Sequence, residues 1–518
     1  MSAVPPFVNE PYTDFTKPEA QAAAAVSLAK ARAELGKDYD LLIGGEWIKT
    51  SDKLTSTNPS NVSEVVGTFS KASAELATKA IESAHEYFTE WSQTDPVYRA
   101  ELAMKVAAII RERKMDFNAW LVLEAGKTWP EAEPEVAEAV DFCEYYARLM
   151  LKLAKPDPLV QMPGEKGQLV YLPLGAGIVI PPWNFPFAIL AGMAIAALVA
   201  GNTVVIKPSS ETPAIAAKFI DVLIEAGFPL KAFSFCPGSG NVIGDLLVEH
   251  PKTRFVSFTG SKEVGLRINE LAAKPRKGQI WIKRVVAEMG GKDAIVVDRE
   301  TNVDKAVEGV FVSAFGYQGQ KCSACSRAIV DAAIYDEFLE KLKARVATIT
   351  QGPSEKFENY MGAVVSASAK KSILEYIEIG KKEGRLLIGG GPAEGNGHYI
   401  QPTVLADIEP KHRVFQEEIF GPVLAVTKAK DFDEAIAFAN DTEYGLTGAV
   451  YTDNPAKIEK AKKEFFVGNL YINRKCTGAM VGAHPFGGFN MSGTDSKAGG
   501  PDYLLQFLQP KSIAERIA

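Results

Sequence analysis

Two patterns of apolar and polar positions occur along this chain of 518 residues. In its first part, residues 18–35, 72–92, 96–124 and 129–154 repeat apolar positions at the spacing of amphipathic helices. Between the first two of these stretches, residues 41–48 alternate around a Gly-Gly pair. That pattern predicts a β-hairpin, because glycine accepts the positive φ of a tight turn. The first part is therefore predicted to be helical with one hairpin.

From residue 203 onward, short apolar runs alternate with helical patterns. The predicted strands are 204–206, 233–235, 255–258 and 284–287, with helices near 213–226, 241–249 and 262–273. A second series continues with a strand at 294–297, a helix at 303–317, a strand near 326–331, a helix at 333–349 and a last strand at 468–473. Such alternation indicates parallel sheets covered on both faces. We expect two successive α/β units joined near 288–292.

The longest uncharged stretch runs from 167 to 206 and is long enough to suggest a membrane span. Four prolines and several glycines divide it, however, into pieces too short to cross a bilayer. The stretch is interpreted as strands at 169–172, 177–180 and 203–206 around a buried helix at 188–200. No membrane span is expected.

Composition narrows the class of protein and its compartment. Apolar residues make up 47% and charged residues 23% of the chain, with a net charge of −7. That acidic balance argues against nucleic acid or an anionic membrane as partner. Five cysteines are too few for a disulfide framework and favour a reducing compartment. Without a visible targeting signal we expect the cytoplasm, or the mitochondrial matrix if a presequence has been removed.

A polar, glycine-rich segment at 315–327 presents Cys322 and Cys325 between a predicted helix and a predicted strand. The histidines are scattered and one cysteine pair supplies half of a zinc site, so no metal is expected. Thioredoxin-type pairs open a helix after a strand, which is the opposite order. A nucleophilic Cys322, a redox pair and a plain loop residue all remain open at this point.

A nucleophile needs a base and an oxyanion donor. Glu288 ends an apolar strand, where burial would raise its pKa, although it could equally serve only to end the strand. Asn184 is an amide among rigid apolar residues and is either a structural turn or an oxyanion donor. Residues 258–265 pass from strand through a small-residue turn into a helix, which offers free N–H groups to a phosphate.

Together these segments resemble the aldehyde dehydrogenase family over nearly the whole chain. Six motifs match in order: Pro-Trp-Asn-Phe-Pro at 182–186, Phe-Thr-Gly-Ser at 258–261, Glu-Met-Gly-Gly-Lys at 288–292, Gly-Gln-Lys-Cys at 319–322, Glu-Glu-Ile-Phe-Gly-Pro-Val at 417–423 and Pro-Phe-Gly-Gly at 485–488. The resemblance implies an α/β fold with a Rossmann-type parallel-sheet cofactor domain, a second α/β catalytic domain and a small oligomerisation flap. The corresponding ranges are 1–156 with 175–287, then 288–490, and finally 157–174 with 491–518.

The resemblance also implies roles for individual residues. Cys322 would be the nucleophile, Glu288 the base for deacylation, and Asn184 an oxyanion donor. The cofactor would be NAD, with NADP as an acceptable alternative. The residues implied for the cofactor site are Trp183, Lys207, Ser210, Gly260, Ser261, Glu418 and Phe420.

Segments 321–327 and 486–501, with the long N-terminal extension, are similar to the branch that acts on L-glutamate γ-semialdehyde, the open form of Δ1-pyrroline-5-carboxylate. In that branch a serine and a glycine-containing loop hold the substrate carboxylate. The residues implied for substrate binding are Ser323, Gly478, Ala479, Phe185, Glu138 and Phe486. A functional link to proline dehydrogenase and a homo-oligomer built through the flap are further implications.

Two positions depart from the family pattern. Met193 stands where many members have lysine, so a proton relay through that lysine does not carry over. Ser210, followed by Glu211, stands where many NAD-specific members have glutamate, which leaves room for NADP. The alternative functions are dehydrogenation of another ω-aldehyde acid such as succinate semialdehyde, and a catalytically silent binding protein.

Overall fold

The computed structural model describes residues 4–156 and 159–517. Its helices are α1 Pro18–Ala33, α2 Ala74–Ser92, α3 Pro96–Glu112, α4 Lys114–Ala125, α5 Trp129–Leu153, α6 Ala188–Val199, α7 Pro213–Ala226, α8 Asp245–Glu249, α9 Lys262–Ala273, α10 Val303–Phe315, α11 Tyr335–Val346, α12 Ala367–Glu383, α13 Arg413–Gln416, α14 Phe432–Asn440 and α15 Pro455–Glu464. Short helical turns lie at Gly240–Gly244, Gly316–Gly319 and Tyr503–Phe507.

The strands fall into two large sheets and three small ones. In chain order they are β1 Lys37–Tyr39, β2 Leu41–Ile43, β3 Glu46–Ile48, β4 Lys53–Asn58, β5 Asn61–Ser70, β6 Glu165–Pro173, β7 Ala176–Ile180, β8 Thr203–Ile206, β9 Phe233–Phe235, β10 Phe255–Thr259, β11 Arg284–Glu288, β12 Ala294–Val297, β13 Arg327–Asp331, β14 Arg385–Ile388, β15 Thr403–Ala406, β16 Val423–Ala429, β17 Tyr444–Gly445, β18 Thr447–Tyr451, β19 Asn469–Ile472, β20 Phe489–Asn490 and β21 Leu508–Arg516.

The first large sheet has seven strands in the order β11-β10-β7-β8-β9-β2-β3. The five strands from β11 to β9 are parallel, and the β2–β3 hairpin is added antiparallel at the edge. Alternate side chains of β8 face opposite layers, because successive residues of a strand point to opposite sides. Val204 and Ile206 pack with the α3–α7 helices, and Val205 packs with the α2 side. Both faces are thus buried.

The second large sheet also has seven strands, in the order β14-β15-β16-β13-β12-β18-β19. All neighbours are parallel except β14, which runs antiparallel to β15. Its two faces bury separate apolar clusters, one under α10 and α11 and the other under α12 and α14. The predicted pair of α/β units is therefore confirmed, with parallel sheets as the alternation required.

A two-stranded antiparallel ribbon pairs β6 with β21 over nine residue pairs, from Leu508 opposite Pro173 to Arg516 opposite Glu165. This ribbon brings together the two segments expected to form the flap, although residues 157–158 of that segment lie outside the described ranges. The remaining small sheets are β1-β5-β4 and β17-β20. Within the described residues, no helix is both long and apolar enough to cross a membrane.

Two features differ from the sequence-based expectations. The single helix predicted at 96–124 is broken at Arg113, whose φ of −110° and ψ of 23° are not helical. The break turns α4 so that Phe117 to Ala125 are all buried. The free energy gained by this packing outweighs the loss of a continuous helix. The β4–β5 hairpin was not predicted either, because its polar residues carry a weak strand signal.

Candidate active site

Four chain segments meet at the carboxyl edge of the first sheet. Strands β7, β8, β10 and β11 are parallel and all end there, so the residues that follow them are neighbours in space. Those followers include Asn184, Lys207 and Ser261, and Glu288 is the last residue of β11. Ligands of open α/β sheets bind at this edge. The sheet topology therefore places the separate motifs of the sequence in one region.

A cavity of about 400 Å³ opens beside this edge. Its lining includes the predicted nucleophile, the predicted base and every predicted substrate residue: Cys322, Glu288, Ser323, Gly478, Ala479, Phe185, Glu138 and Phe486. The predicted cofactor residues are not part of that lining. The structure thus separates the sequence-predicted residues into a substrate cavity and a neighbouring group at the sheet edge.

The loop that carries the cysteine pair begins with a left-handed turn. Tyr317 and Gln318 have φ of 50° and 56°, and Gly319 follows with φ of 68°. Residues other than glycine rarely adopt this conformation, so the surroundings must hold it. The Tyr317 hydroxyl donates to Ala125 O at 2.8 Å, and Gln318 Nε2 donates to Gly126 O at 3.0 Å. The end of α4 therefore fixes the start of this loop.

Cys322 is half-buried at the cavity wall. Loss of solvation raises the pKa of its thiol above the ordinary value, and the carboxylates of Asp293, Glu418 and Glu288 raise it further. The thiol is consequently protonated at neutral pH, and attack on an electrophile requires loss of that proton. Across the described ranges, the Cys322 N–H donates to no backbone carbonyl. This N–H is therefore a candidate donor to a bound oxygen atom.

Asn184 lies directly beside the cysteine loop. Its side chain is 4% exposed, and Nδ2 donates to Gln320 O at 2.9 Å. An amide nitrogen carries two hydrogens, so this bond leaves one donor for a second acceptor. The bond also fixes the amide within two residues of Cys322. The geometry suits an oxyanion donor as well as a structural tie, the two interpretations that the sequence left open.

Glu288 is buried at 9% exposure with both carboxylate oxygens engaged. Oε1 accepts from Ser496 Oγ at 2.9 Å, and Oε2 accepts from Gly488 N at 3.3 Å. Burial raises the pKa of Glu288 to about 8, against the lowering effect of these hydrogen bonds and of Lys497. A carboxyl group that titrates near the working pH is suited to general base catalysis.

A buried ion pair lies against the ring of Phe185, which lines the cavity. Lys127 and Glu135 are both 0% exposed, and Lys127 Nζ is 2.7 Å from Glu135 Oε2. The ammonium also lies 3.7 Å from the Phe185 ring centroid and 4.2 Å from that of Tyr317. Glu135 Oε1 accepts from the N–H of Phe187 at 2.8 Å, next to the start of α6. One ion pair thus joins the Asn184 loop to the cysteine loop.

Replacing Lys127 with alanine is expected to lower the free energy of unfolding by about 3–5 kcal/mol, because the Glu135 carboxylate is left buried without its cation. Urea denaturation measures the loss. Lys371, whose side chain is 80% exposed beside Glu375, provides the matched control. Its replacement by alanine should change stability by less than about 1 kcal/mol. Equal effects of the two substitutions would contradict the interpretation.

The loop 475–482, named the anchor loop here, contributes several residues to the cavity lining. Gly478 and Gly482 have φ of 76° and 77°, a left-handed conformation that glycine adopts without strain. Cys476 connects the anchor loop to the loop that carries Cys322, since its Sγ donates to Ser323 O at 3.3 Å. Exposed backbone N–H groups of such turns bind carboxylates. Ser323 and most residues of the anchor loop line the same cavity.

Charged groups surround the remaining wall. Lys321 Nζ forms an ion pair with Glu131 Oε2 at 2.6 Å, and both residues line the cavity. Glu138 lies further along α5, where loss of solvation and then the Glu135 charge raise its pKa to about 8. The half-buried rings of Phe185 and Phe486 lie on the same lining. The cavity therefore suits a short chain with an apolar middle and charged ends.

The cofactor residues fit a dinucleotide at the sheet edge. Lys207 is 7% exposed, and its ammonium donates only to Pro208 O, at 3.3 Å, among the described residues. The buried nitrogen keeps further donors for sugar hydroxyl groups. Glu418 accepts from Gly291 N at 2.9 Å, which leaves its second oxygen as an acceptor. Loss of solvation raises the pKa of Glu418 to about 7.

The pyrophosphate end of that site has the predicted strand-turn-helix form. Ser261 caps α9 by accepting from Val264 N at 3.4 Å, and Gly260 precedes it with its N–H bonded to Glu288 O. A Cβ at Gly260 would meet the Phe258 ring at 2.6 Å, which explains the glycine. Free N–H groups at a helix start bind phosphate. Ser210 is half-buried three residues after Lys207.

Two of the predicted cofactor residues are aromatic and contact each other. The rings of Trp183 and Phe420 meet edge to face at 5.3 Å between centroids. Phe420 has φ of 57°, an uncommon value for a bulky residue, which marks a locally constrained turn. Among the described residues, no group of three or more His, Cys, Asp or Glu side chains has the arrangement of a metal site.

Sequence reasoning missed several residues of the site. Ser496, which binds Glu288, lies 208 positions away in the chain, and no local pattern connects the two. Lys127 could have been found from the sequence, because a single charged residue between the apolar residues Ala125 and Trp129 indicates a buried charge. Tyr12 lines the cavity from a segment that sequence patterning left unassigned.

Comparison with known proteins agrees with the fold. The model of the aldehyde dehydrogenase family matches residues 47–513, and the chain belongs to that family. The chain is 56% identical over 512 residues to 1-pyrroline-5-carboxylate dehydrogenase from Geobacillus thermodenitrificans, which covers 99% of each chain. It is 54% identical over 510 residues to 1-pyrroline-5-carboxylate dehydrogenase 1 from Halalkalibacterium halodurans, which covers 98% of this chain and 99% of the relative.

Solved structures give the same picture. The structure of 1-pyrroline-5-carboxylate dehydrogenase from Thermus with bound NAD superposes with a TM-score of 0.98 at 49% identity, covering 100% of both chains. Proline utilization A from Bdellovibrio bacteriovorus gives a TM-score of 0.97 at 42% identity, covering 100% of this chain and 54% of the other. The predicted family and fold class are confirmed.

Proposed function

We propose that this protein oxidises L-glutamate γ-semialdehyde, the open-chain form of Δ1-pyrroline-5-carboxylate, to L-glutamate with NAD as hydride acceptor. One observation carries the proposal: a single cavity is lined by a thiol, a carboxyl group of raised pKa and a glycine-containing loop. These are Cys322, Glu288 and the anchor loop. The relatives named 1-pyrroline-5-carboxylate dehydrogenase support the same substrate.

In the first step, the Cys322 thiol gives its proton to solvent, its sulfur bonds to the aldehyde carbon, and the carbonyl oxygen becomes an alkoxide. We assign the stabilisation of that negative charge to the second N–H of Asn184 Nδ2 and to the Cys322 backbone N–H. The first Nδ2 hydrogen is bonded to Gln320 O, and in the described ranges the Cys322 N–H donates to no backbone carbonyl. Donors fixed in place before the reaction need no reorganisation as the charge develops. Asn184 is thereby assigned the oxyanion role.

When bound, NAD would supply the hydride acceptor. Loss of hydride from the carbon bonded to Cys322 Sγ leaves a thioester on that residue. Glu288 then removes a proton from water, and the resulting nucleophile attacks the thioester carbon. The carbon–sulfur bond breaks, glutamate is released, and the thiol is restored. Cysteine serves both halves because the thiolate is a strong nucleophile and a good leaving group.

The substrate carboxylate is assigned to the Ser323 hydroxyl and the backbone N–H groups at Gly478 and Ala479. Phe185 and Phe486 are assigned to contacts with the aliphatic chain of the substrate. Glu138, on helix α5, lines the same cavity. Succinate semialdehyde is one carbon shorter, and we expect it to bridge the thiol and the anchor loop less well. The proposed substrate is therefore the semialdehyde of glutamate.

For the cofactor, Lys207 and Glu418 are assigned to ribose hydroxyl groups, and Gly260 with Ser261 to the pyrophosphate. Trp183 and Phe420 enclose the nicotinamide side of the site. Ser210 carries no charge that would repel a 2′-phosphate, so NADP is proposed as a second, weaker acceptor. The first sheet with its helices is the proposed cofactor domain, and the unit from 288 to 490 the catalytic domain.

A wider setting follows from the same proposal. Likeness to proline utilization A supports a functional link to an enzyme that oxidises proline. Among the described residues, each strand of the β6–β21 ribbon has one edge without a partner strand, which supports its use as an oligomerisation flap. The free thiols of the described cysteines support a reducing compartment, here proposed as the cytoplasm.

A steady-state assay tests the substrate. Purified protein with NAD should form NADH with Δ1-pyrroline-5-carboxylate at a kcat/KM at least about tenfold above that for succinate semialdehyde, a difference of about 1.4 kcal/mol in transition-state binding. The same preparation assayed with NADP ranks the two cofactors. Equal or better use of succinate semialdehyde would contradict the substrate, and absence of NADH with every aldehyde would indicate a silent binding protein.

The pH dependence of deacylation should follow Glu288. Because the base acts as a carboxylate, the rate should rise with pH and level off above the pKa of about 8. At pH 6 only about one hundredth of the groups are ionised, so the rate should fall roughly a hundredfold below the plateau. Steady-state turnover after the first NADH burst measures this step. A deacylation rate that stays constant between pH 6 and pH 9 would contradict the assignment.

A further inference from the structure

An extended segment near the N-terminus lies against the substrate cavity. Residues 7–13, named the N-terminal arm here, precede the region matched by the family model, which starts at 47. The side chain of Tyr12 is part of the cavity lining. A segment outside the common family core thus contributes to the site, and its contacts indicate what it does there.

The arm is firmly docked on helix α5. Glu10 N donates to Asp141 Oδ1 at 2.7 Å, and Thr13 N donates to Glu133 Oε1 at 2.7 Å. Arg111 Nε donates to Glu10 Oε2 at 2.7 Å. Buried or partly buried bonds to carboxylates are among the stronger hydrogen bonds. The arm therefore holds a fixed position.

The arm also reaches the anchor loop. Asn9 Nδ2 donates to Val481 O at 3.0 Å and to Asp141 Oδ2 at 2.8 Å. The Phe7 ring meets Tyr145 at 5.1 Å between centroids and covers Gly482, where an added Cβ would lie 3.1 Å from that ring. Asn9 and Phe7 thus both connect the anchor loop with helix α5, and Asn9 does so through hydrogen bonds.

We propose that the N-terminal arm is a specificity element for the carboxylate end of the substrate. Asn9 is a positioning residue that holds the anchor loop in its carboxylate-binding form, and Tyr12 closes the outer end of the cavity. The inference rests on the proposed function, since it assigns the anchor loop to the substrate carboxylate.

The physical reason is the conformational freedom of the anchor loop. Gly478 and Gly482 give its backbone a wide choice of conformations when it is not restrained. Backbone donors that are ordered before binding cost less entropy when the ligand arrives. Loss of the Asn9 tie should therefore weaken binding of a carboxylate and leave the chemistry at Cys322 unchanged.

The first test compares Asn9→Ala with the control Val8→Ala. Val8 is 80% exposed in the structure. Asn9→Ala should raise KM for the semialdehyde about tenfold with kcat within about twofold, as loss of a restrained hydrogen bond predicts. Its kcat/KM for propanal, which has no carboxylate, should stay unchanged, and Val8→Ala should match wild type for both aldehydes.

Several outcomes would overturn the inference. An unchanged KM for the semialdehyde in Asn9→Ala, or an equal loss with propanal, would show that the tie is structural only. These results leave the proposed function standing, because wild type still turns over the semialdehyde. Wild type that oxidises propanal and not the semialdehyde would overturn both proposals together.

The second test uses Tyr12, whose side chain is 54% exposed and whose replacement should not disturb folding. The test substrate is 2-aminoadipate semialdehyde, which is one methylene longer than glutamate semialdehyde. Tyr12→Ala should raise the ratio of kcat/KM for the longer to the shorter substrate at least about threefold, since a methylene in a pocket changes binding by roughly 1 kcal/mol. Tyr12→Phe keeps the ring and should behave as wild type. An unchanged ratio in Tyr12→Ala would contradict a closing role for the arm.

Discussion

Replacing Cys322 with serine should reduce turnover of the semialdehyde by about four orders of magnitude or more, the scale seen when an enzyme loses its nucleophile. A hydroxyl group ionises far less readily than a thiol, and an alkoxide leaves an acyl carbon less readily than a thiolate. Both the attack and the release step would therefore slow. NADH formation under saturating substrate and cofactor measures the effect.

Cys325 provides the control for that substitution, because it lies in the same loop with its Sγ donating to Arg327 O at 3.4 Å. Cys325→Ala should retain most of the activity. A large, equal loss in both variants would instead favour the redox-pair interpretation. Activity of Cys322→Ser above about one hundredth of wild type would contradict the nucleophile assignment.

Replacing Glu288 with glutamine should lower steady-state turnover by about 10²–10⁴-fold, the usual contribution of a general base. Glutamine keeps an oxygen acceptor for Ser496 or Gly488 N and cannot take a proton from water. Attack and hydride loss do not require this base, so one NADH per subunit should appear in a rapid burst. Stopped-flow absorbance records the burst and the slow phase separately.

Ser496→Ala is the matched control for this variant, since it removes a hydrogen bond to Glu288 and leaves the carboxylate in place. Its steady-state rate should fall far less than that of Glu288→Gln, and its pH profile should move to higher pH because a bond that favours the charged form is lost. Absence of any burst in Glu288→Gln would place the base before hydride transfer and contradict its role in deacylation.

The parts of the fold that the sequence predicted are those where burial alone dictates the pattern. Strands such as Phe255–Thr259 and Ala294–Val297 are short apolar runs between helices, so their type and order could be predicted. Parallel strand order then brings Glu288, Lys207 and Ser261 to one edge. For these elements the local pattern and the global fold agree.

The remaining features depend on contacts between residues far apart in the chain. Asn9 and Val481 are separated by 472 positions, and Glu288 and Ser496 by 208. No periodicity marks such pairs, because each partner alone resembles an ordinary surface or loop residue. The helix break at Arg113 likewise follows from how α4 packs and not from a glycine or a proline.

The central claim is that Cys322 carries the substrate as a glutamyl thioester. The most direct measurement is mass spectrometry of peptides from Glu288→Gln, quenched in acid after mixing with NAD and Δ1-pyrroline-5-carboxylate. The account predicts one glutamyl group on the peptide that contains Cys322, formed in the same amount as the NADH burst. An unmodified Cys322 peptide alongside a full burst, or the acyl group on another residue, would contradict it.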